Sequence, residues 1–329
     1  MRERTGARFC WLPLALAAFA LAVALVPPAL SLAFGGYCTR CGTHHTLPTT
    51  EAAKRAALDL RDRMVRSGRI DIDELPGDLR AKLLAPPLGE SGSNGSSSNT
   101  AGDLTGIPSA SDLGLDPSLA TERLYERRGK MFGVLVCEKP STDGDNTGDG
   151  SETVVLKAYA GKMGGRWNLR GWAPLVGRVP EEIPEFRRLS AAVTEKFAEI
   201  EEASLSPGDG STATLAKLKA ERAALSARAM EEIRRHQLLT NLRGDTTLPI
   251  TAAFLRGSTR LPGGTGDCAA PKLVAEAIRR GLRPVGICEV FVGATGGMST
   301  TKADGEFYDA CESRCEQIAG FLLCGLDDR

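Results

Sequence analysis

A Ser/Gly-rich break runs through this chain and decides how much of it can fold. Residues 89–116 read GESGSNGSSSNTAGDLTGIPSASDLGLD, rich in Ser, Gly and Asn and poor in aromatics. Such a tract buries too little apolar surface to offset its ordering entropy and reads as a flexible linker. A shorter acidic loop, PSTDGDNTGDGSE over 140–152, interrupts the chain again. The N-terminus carries a basic segment, Met1 to Arg8, then an uncharged apolar run from Phe9 to Val26. Pro27 and Pro28 break that run, and Ser31-Leu32-Ala33 offers a small-x-small cleavage site. This is the layout of a secretory signal peptide over 1–33. The run also has the length of an uncleaved membrane anchor, and a misassigned start would instead leave an intracellular chain. What remains is roughly 250 residues, one or two domains by size. They divide into a Cys-x2-Cys segment with a first helix over 34–88 and a larger domain over 117–329.

The order of apolar patterns predicts the fold class. Residues 51–67 carry apolar positions at helical spacing, with Thr49 or Thr50 as N-cap. The β-branched runs 131–137 and 153–160 predict two strands of a long-tipped hairpin. Amphipathic patterns over 184–205 and 212–239, joined by SPGDG, predict an inserted antiparallel helical hairpin. A helix over 269–280 ended by Gly281, a buried-type strand over 282–293 and a closing helix over 310–325 complete the chain. Helices on a small sheet make an α/β or α+β layer protein.

Composition excludes other classes. Lys and Arg number 41 and Asp and Glu 41, so no net charge draws the chain onto a phosphate backbone. Only a local patch remains open. Arg166 and Arg170 flank Trp167 and Trp172 in a Gly-rich loop, where the rings would stack on RNA bases or staple the loop to the sheet. With nine Cys against three His, any metal site must lean on thiolates.

The cysteines form two groups. Cys38 and Cys41, with His44 and His45 just beyond, make a zinc-knuckle pattern; His44 or His45 would be a third ligand, with one more from a distance. The same pair in an oxidising compartment would be a disulfide or redox pair. Cys268 opens one predicted helix, and Cys311 and Cys315 sit four apart on one face at the start of another. Three thiolates from two helix starts, with one position left for water, would make a hydrolytic zinc site. The alternative is that they are small buried residues, or a Cys311–Cys315 pair that oxidises. Cys288 and Cys324 fall on predicted core faces and read as packing residues.

These C-terminal residues carry a resemblance. GTGDCAAPKL over 264–273, GLRP over 281–284, CEVF over 288–291, GEFYDAC over 305–311 with Cys315, and GLDDR over 325–329 resemble the N-terminal extension of long pseudouridine synthases. Upstream, GKMFGVL over 129–135, AGK over 160–162 and WAP over 172–174 fit the same family. No His-Arg-Leu-Asp motif occurs, so the catalytic Asp of that chemistry is absent. More distantly, the chain is similar to the zinc-dependent cytidine/adenosine deaminase fold, which orders its elements as helix, two strands, helix, strand, helix. That resemblance implies metal ligands at Cys268, Cys311 and Cys315. The pair here is C-x3-C rather than the family's C-x2-C, and Ala270 stands where the family has its general-base Glu. Asp267 or Glu289 would have to serve as acid and base.

Three functions follow as expectations. One is a zinc-binding accessory module associated with RNA or an RNA-modifying enzyme, touching a membrane only if the N-terminal segment is uncleaved. Another is a zinc hydrolase of the deaminase type acting on a nucleobase. The last is a secreted or tethered protein whose cysteines form disulfides.

Overall fold

The computed structural model describes residues 33–85, 114–139, 152–205, 211–255, 261–296 and 301–328. The signal-peptide region, apart from Ala33, lies outside them, as do most of the Ser/Gly-rich linker, the tip of the acidic loop and the SPGDG turn. The chain begins with β1 (Ala33–Cys38) and β2 (Thr43–Pro48), then α1 (Glu51–Ser67), α2 (Gly77–Leu84) and α3 (Glu122–Glu126). Strands β3 (Lys130–Glu138) and β4 (Thr153–Tyr159) precede α4 (Pro184–Leu205) and α5 (Ser211–Arg235). Next come β5 (Leu238–Thr240), β6 (Thr247–Pro249), α6 (Ile250–Ala253) and α7 (Ala269–Arg279). β7 (Arg283–Val292) and α8 (Glu316–Leu322) close the fold. It is a mixed α/β protein, as the order of patterns predicts. Among the described residues no helix is long and apolar enough to cross a membrane.

The central sheet has the order β4-β3-β7 and is antiparallel throughout. Its two faces follow from side-chain alternation along a strand. Phe132, Val134 and Val136 of β3, with Cys288, Val290 and Val292 of β7, face Ala53, Ala57, Leu60 and Met64 of α1. Leu135 and Cys137 of β3 with Ile287 of β7 join Leu273, Val274 and Ala277 of α7 on the other face. Gly133 lets α7 settle against β3, since a Cβ there would lie 2.8 Å from the Ala269 methyl. Thr50 caps α1, its hydroxyl accepting from the Ala53 amide at 3.2 Å. Helices α4 and α5 pack on each other, with Lys196 paired to Glu221 and Arg222 over the Phe197 ring.

Several boundaries differ from expectation. The β1–β2 hairpin occupies residues read only as a Cys-x2-Cys segment, and β5 takes residues 238–239 from the end of an expected helix. Strands of three residues are too short to show a period of two. The closing helix starts at Glu316, so Cys311 lies in the preceding turn and Cys315 is the N-cap. The amides of Cys315 and Glu316 both donate to the Cys311 carbonyl, so one hydrogen-bonded turn leads from Cys311 into α8.

Helix α8 packs on β1 backbone to backbone. A Cβ on Gly320 would lie 2.2 Å from the Tyr37 carbonyl oxygen, and one on Gly36 would lie 2.9 Å from the Gly320 amide nitrogen. Only two glycines permit that approach. Gly320→Ala is therefore expected to cost about 1–3 kcal/mol in urea denaturation, and an unchanged midpoint would show that α8 can lift away freely.

Candidate metal centre

The close docking of α8 sets up the chemistry at its C-terminal end. The turn between β1 and β2 brings Cys38 and Cys41 together, with the Gly42 amide donating to the Cys38 carbonyl at 2.9 Å. Just past α8, Cys324 reaches the same place. Its carbonyl accepts from the Arg243 amide at 2.9 Å, while the Leu242 amide donates to Leu322, so the β5–β6 loop braces the turn. One ligand atom from each of Cys38, Cys41, His45 and Cys324 lies within 4.8 Å of the others. Cys38, His45 and Cys324 are buried and Cys41 is exposed.

Three observations fit this set to a zinc ion. The spread suits a tetrahedral shell, whose neighbouring ligands at zinc–sulfur distances of about 2.3 Å stand about 3.5–4 Å apart. His45 Nε2 lies 3.1 Å from Cys41 Sγ, while its Nδ1 lies 3.3 Å from the Asp327 carboxylate. A carboxylate behind the imidazole fixes the ring and its tautomer, the usual support of a metal-binding histidine. The thiols also diverge in acidity. Burial raises the Cys41 thiol, but hydrogen bonds from His45, the Thr43 backbone, Cys38 and Cys324 outweigh that and hold it at about 6. Burial and the neighbouring Cys38 and Cys41 push Cys324 up to about 12. A metal would relieve that crowding by taking all the sulfurs as thiolates.

The ligand set corrects two readings of the sequence. His45, not His44, joins the cluster. Along β2, His45 and Leu47 point into the core, while His44 is exposed with its Nδ1 on the Thr46 hydroxyl. Cys324, read as a packing residue, is buried and also a candidate ligand. Nothing in its local sequence marks it, because the partner lies at the far end of the chain. Cys288 does pack, within the α1 core.

The second cysteine group is arranged differently. Cys268 is the N-cap of α7, as expected. A hydrogen bond to the Cys315 thiol, followed by burial, pushes the Cys268 thiol up, against the expectation that a helix start would make it a thiolate. Cys311 instead accepts from Arg314 Nε at 3.2 Å. Burial opposes ionisation of Cys311, yet Arg314 and Ser313 hold its thiol below the ordinary value. Among the described residues, the Cys38–Cys41–His45–Cys324 set is the one group of three or more such side chains spaced to hold a metal. The eight cysteines among the described residues are free thiols.

Glu289 lies beside this group. It is 8% exposed and accepts from the Ala270 amide at 2.8 Å, so it ties β7 to the start of α7. Burial pushes its carboxyl up to about 7, with the Ala270 N–H opposing. Burial likewise raises Asp267. The cavity against Glu289 holds about 10 Å³, enough for about one water and too little for a base.

The two rings of the Trp loop are placed differently. Trp172 is 5% exposed, packed on Phe132 and Tyr159 with the Lys157 ammonium 4.6 Å from its ring centre, so it is closed to base stacking. Trp167 donates to Glu181. Arg166 is held by both oxygens of Glu74, and Arg170 by the Asp73 carbonyl and, through its amide, Glu74. Both arginines are exposed, and both are paired within the chain.

Metal analysis of the purified chain should give about one zinc per chain, falling to near zero in Cys324→Ala and remaining in His44→Ala and Cys268→Ala. Asp327→Asn should keep the ligands but weaken zinc about 10- to 100-fold, as read by competition with a chelator. Retention of full affinity in that variant would remove the carboxylate from the site. Glu289 gives a pH prediction. The folded protein binds this proton more tightly than the unfolded chain, whose value is near the ordinary 4.5. Its stabilisation is present below that pH and is lost as pH rises through about 7, on the order of 3 kcal/mol over the window. Glu289→Gln should therefore gain stability over the parent between pH 5 and pH 8 in urea titrations; parallel pH profiles would show that no buried carboxyl titrates there.

Searches of family models, of curated proteins and of solved structures gave no match to this chain.

Proposed function

We propose that this chain is a non-catalytic, zinc-stapled α/β module that works by binding, as an accessory to RNA or to an RNA-modifying enzyme. The observation that carries the reading is the closed ligand set of Cys38, Cys41, His45 and Cys324. Four protein ligands leave no open position for water or substrate, which is the pattern of a structural rather than a hydrolytic site. Zinc bound there would join the first hairpin to the turn after the last helix. The resemblance of the C-terminal motifs to the pseudouridine-synthase extension supplies the RNA side of the proposal. Within it, α1, the central sheet and α7 stand for the deaminase-like layers, and α4 with α5 for the inserted helical hairpin.

A second reading, a hydrolase of the deaminase type, is favoured by one feature, the buried Glu289 beside Cys268. Against it stands the minute cavity beside Glu289. The two readings separate in one set of assays. Stripping the metal should lower the thermal midpoint, the full chain should retain a ribosomal RNA fragment at low salt, and cytidine should release no ammonia. Ammonia release that is lost in Cys268→Ala and kept in Cys324→Ala would replace the first reading with the second. Failure to retain RNA, with zinc bound, would leave the staple and remove the RNA partner.

A further inference from the structure

Away from the metal centre, the entry to β3 faces a groove of about 710 Å³ between α3 and the 161–165 loop. Its size is that of a small-molecule site. Arg123, Arg127, Arg128, Lys130 and Lys162 line it, and no acidic side chain does. Two of these are already matched, Arg123 by Glu126 and Lys162 by Glu181. Three are not. The guanidinium groups of Arg127 and Arg128 have no hydrogen-bond or ion-pair partner among the described residues, and both are exposed. The Lys130 ammonium meets no carboxylate among the described residues; it donates to the carbonyl oxygens of Ala160 and Lys162.

The loop opposite is suited to an anion. Gly164 and Gly165 both take positive φ, at 55° and 79°, in the tight turn closed by the Met163 and Arg166 amide–carbonyl pair. Their own amide N–H groups have no acceptor among the described residues. Unpaired N–H groups in such a turn and adjacent guanidinium forks are the donors that bind phosphate oxygens. Pro117, Leu124 and Met163 give the groove an apolar wall, and no aromatic ring lines it to stack a run of bases.

We propose that this groove binds a phosphate-bearing small molecule of nucleotide size, with Arg127, Arg128 and the Gly164–Gly165 turn holding adjacent phosphates and Lys130 setting the field beneath them. The site is built from α3, the start of β3 and the 161–165 loop, so it stands whether or not the metal reading holds.

Inorganic tripolyphosphate is the probe, titrated calorimetrically into the full chain at low ionic strength. One saturable site per chain is expected, with inorganic phosphate binding more weakly. The double variant Arg127→Ala/Arg128→Ala should weaken tripolyphosphate about tenfold or more, while Arg55→Ala, an exposed arginine on α1, should leave it unchanged. Both substitutions are at exposed positions, and matching melting curves will confirm that the variants are folded. Absence of saturable binding, or equal loss in Arg55→Ala, would overturn the proposal. So would an oligouridylate RNA that binds through Arg127 and Arg128 more tightly than tripolyphosphate and resists its competition, which would make the groove a stretch of nucleic-acid track.

Discussion

Much of this fold hangs on the approach of one helix to one strand. A two-stranded hairpin such as β1–β2 is at best marginal in water by itself and needs a third element against it. Helix α8 supplies that element, and Gly36 and Gly320 remove the side chains that would hold the two backbones apart. Phe34 and Leu47 then join Ile318, Ala319 and Leu322 in the same core as α7. The turn after α8 is carried to the hairpin tip by the same contact, which is why a cysteine near residue 324 meets a pair near residue 40. A metal bound there would crosslink nearly the whole length of the described chain. Such a link removes loop-closure entropy from the unfolded state as well as adding ligand bonds to the folded one.

The sheet imposes a second constraint, through parity. Alternation along β3 and β7 sends one set of apolar residues to α1 and the other to α7, so two cores share three strands. Glu289 sits at a position on β7 where the α7 face would ordinarily take an apolar side chain. Its carboxyl is kept by one amide at the first turn of α7, and burial shifts it toward the protonated form. A neutral acid bonded to a helix start costs far less than an unpaired buried anion. The residue thus ties strand to helix without needing a substrate.

Parity also explains what could be read from the sequence. Cys38-x2-Cys41 was legible because spacing alone marks it. The choice between His44 and His45 was not, since it depends on knowing that THHTLP is a strand; once it is, Leu47 fixes which face is inward and His45 shares it. Cys324 carries no local sign, because its place in the cluster comes from tertiary contact with the other end of the chain. The α1 cap, the two long strands, α7 and its Cys268 cap followed from periodicity and capping chemistry. The start of the closing helix was less legible: α8 begins at Glu316, and Cys311 leads into it through a hydrogen-bonded turn.

The Trp loop shows how a surface rich in arginine can be paired from within the same chain. Carbonyls along the end of β4 and the loop are taken alternately by two lysines: Tyr159 and Gly161 by Lys272, Ala160 and Lys162 by Lys130. Burial lowers both amines, Lys272 to about 8, which still leaves it largely charged at neutral pH. Arg166 and Arg170 are occupied by Glu74 and Asp73 at the same time. The loop's acceptors are therefore consumed from within, and its nearby donors on the groove side are not. Uncompensated charge then collects at Arg127 and Arg128, on a different element from the Trp-flanking arginines that composition alone would select. A chain with no net charge can in this way keep a local positive field, because its ion pairs neutralise one surface and leave the adjoining groove open.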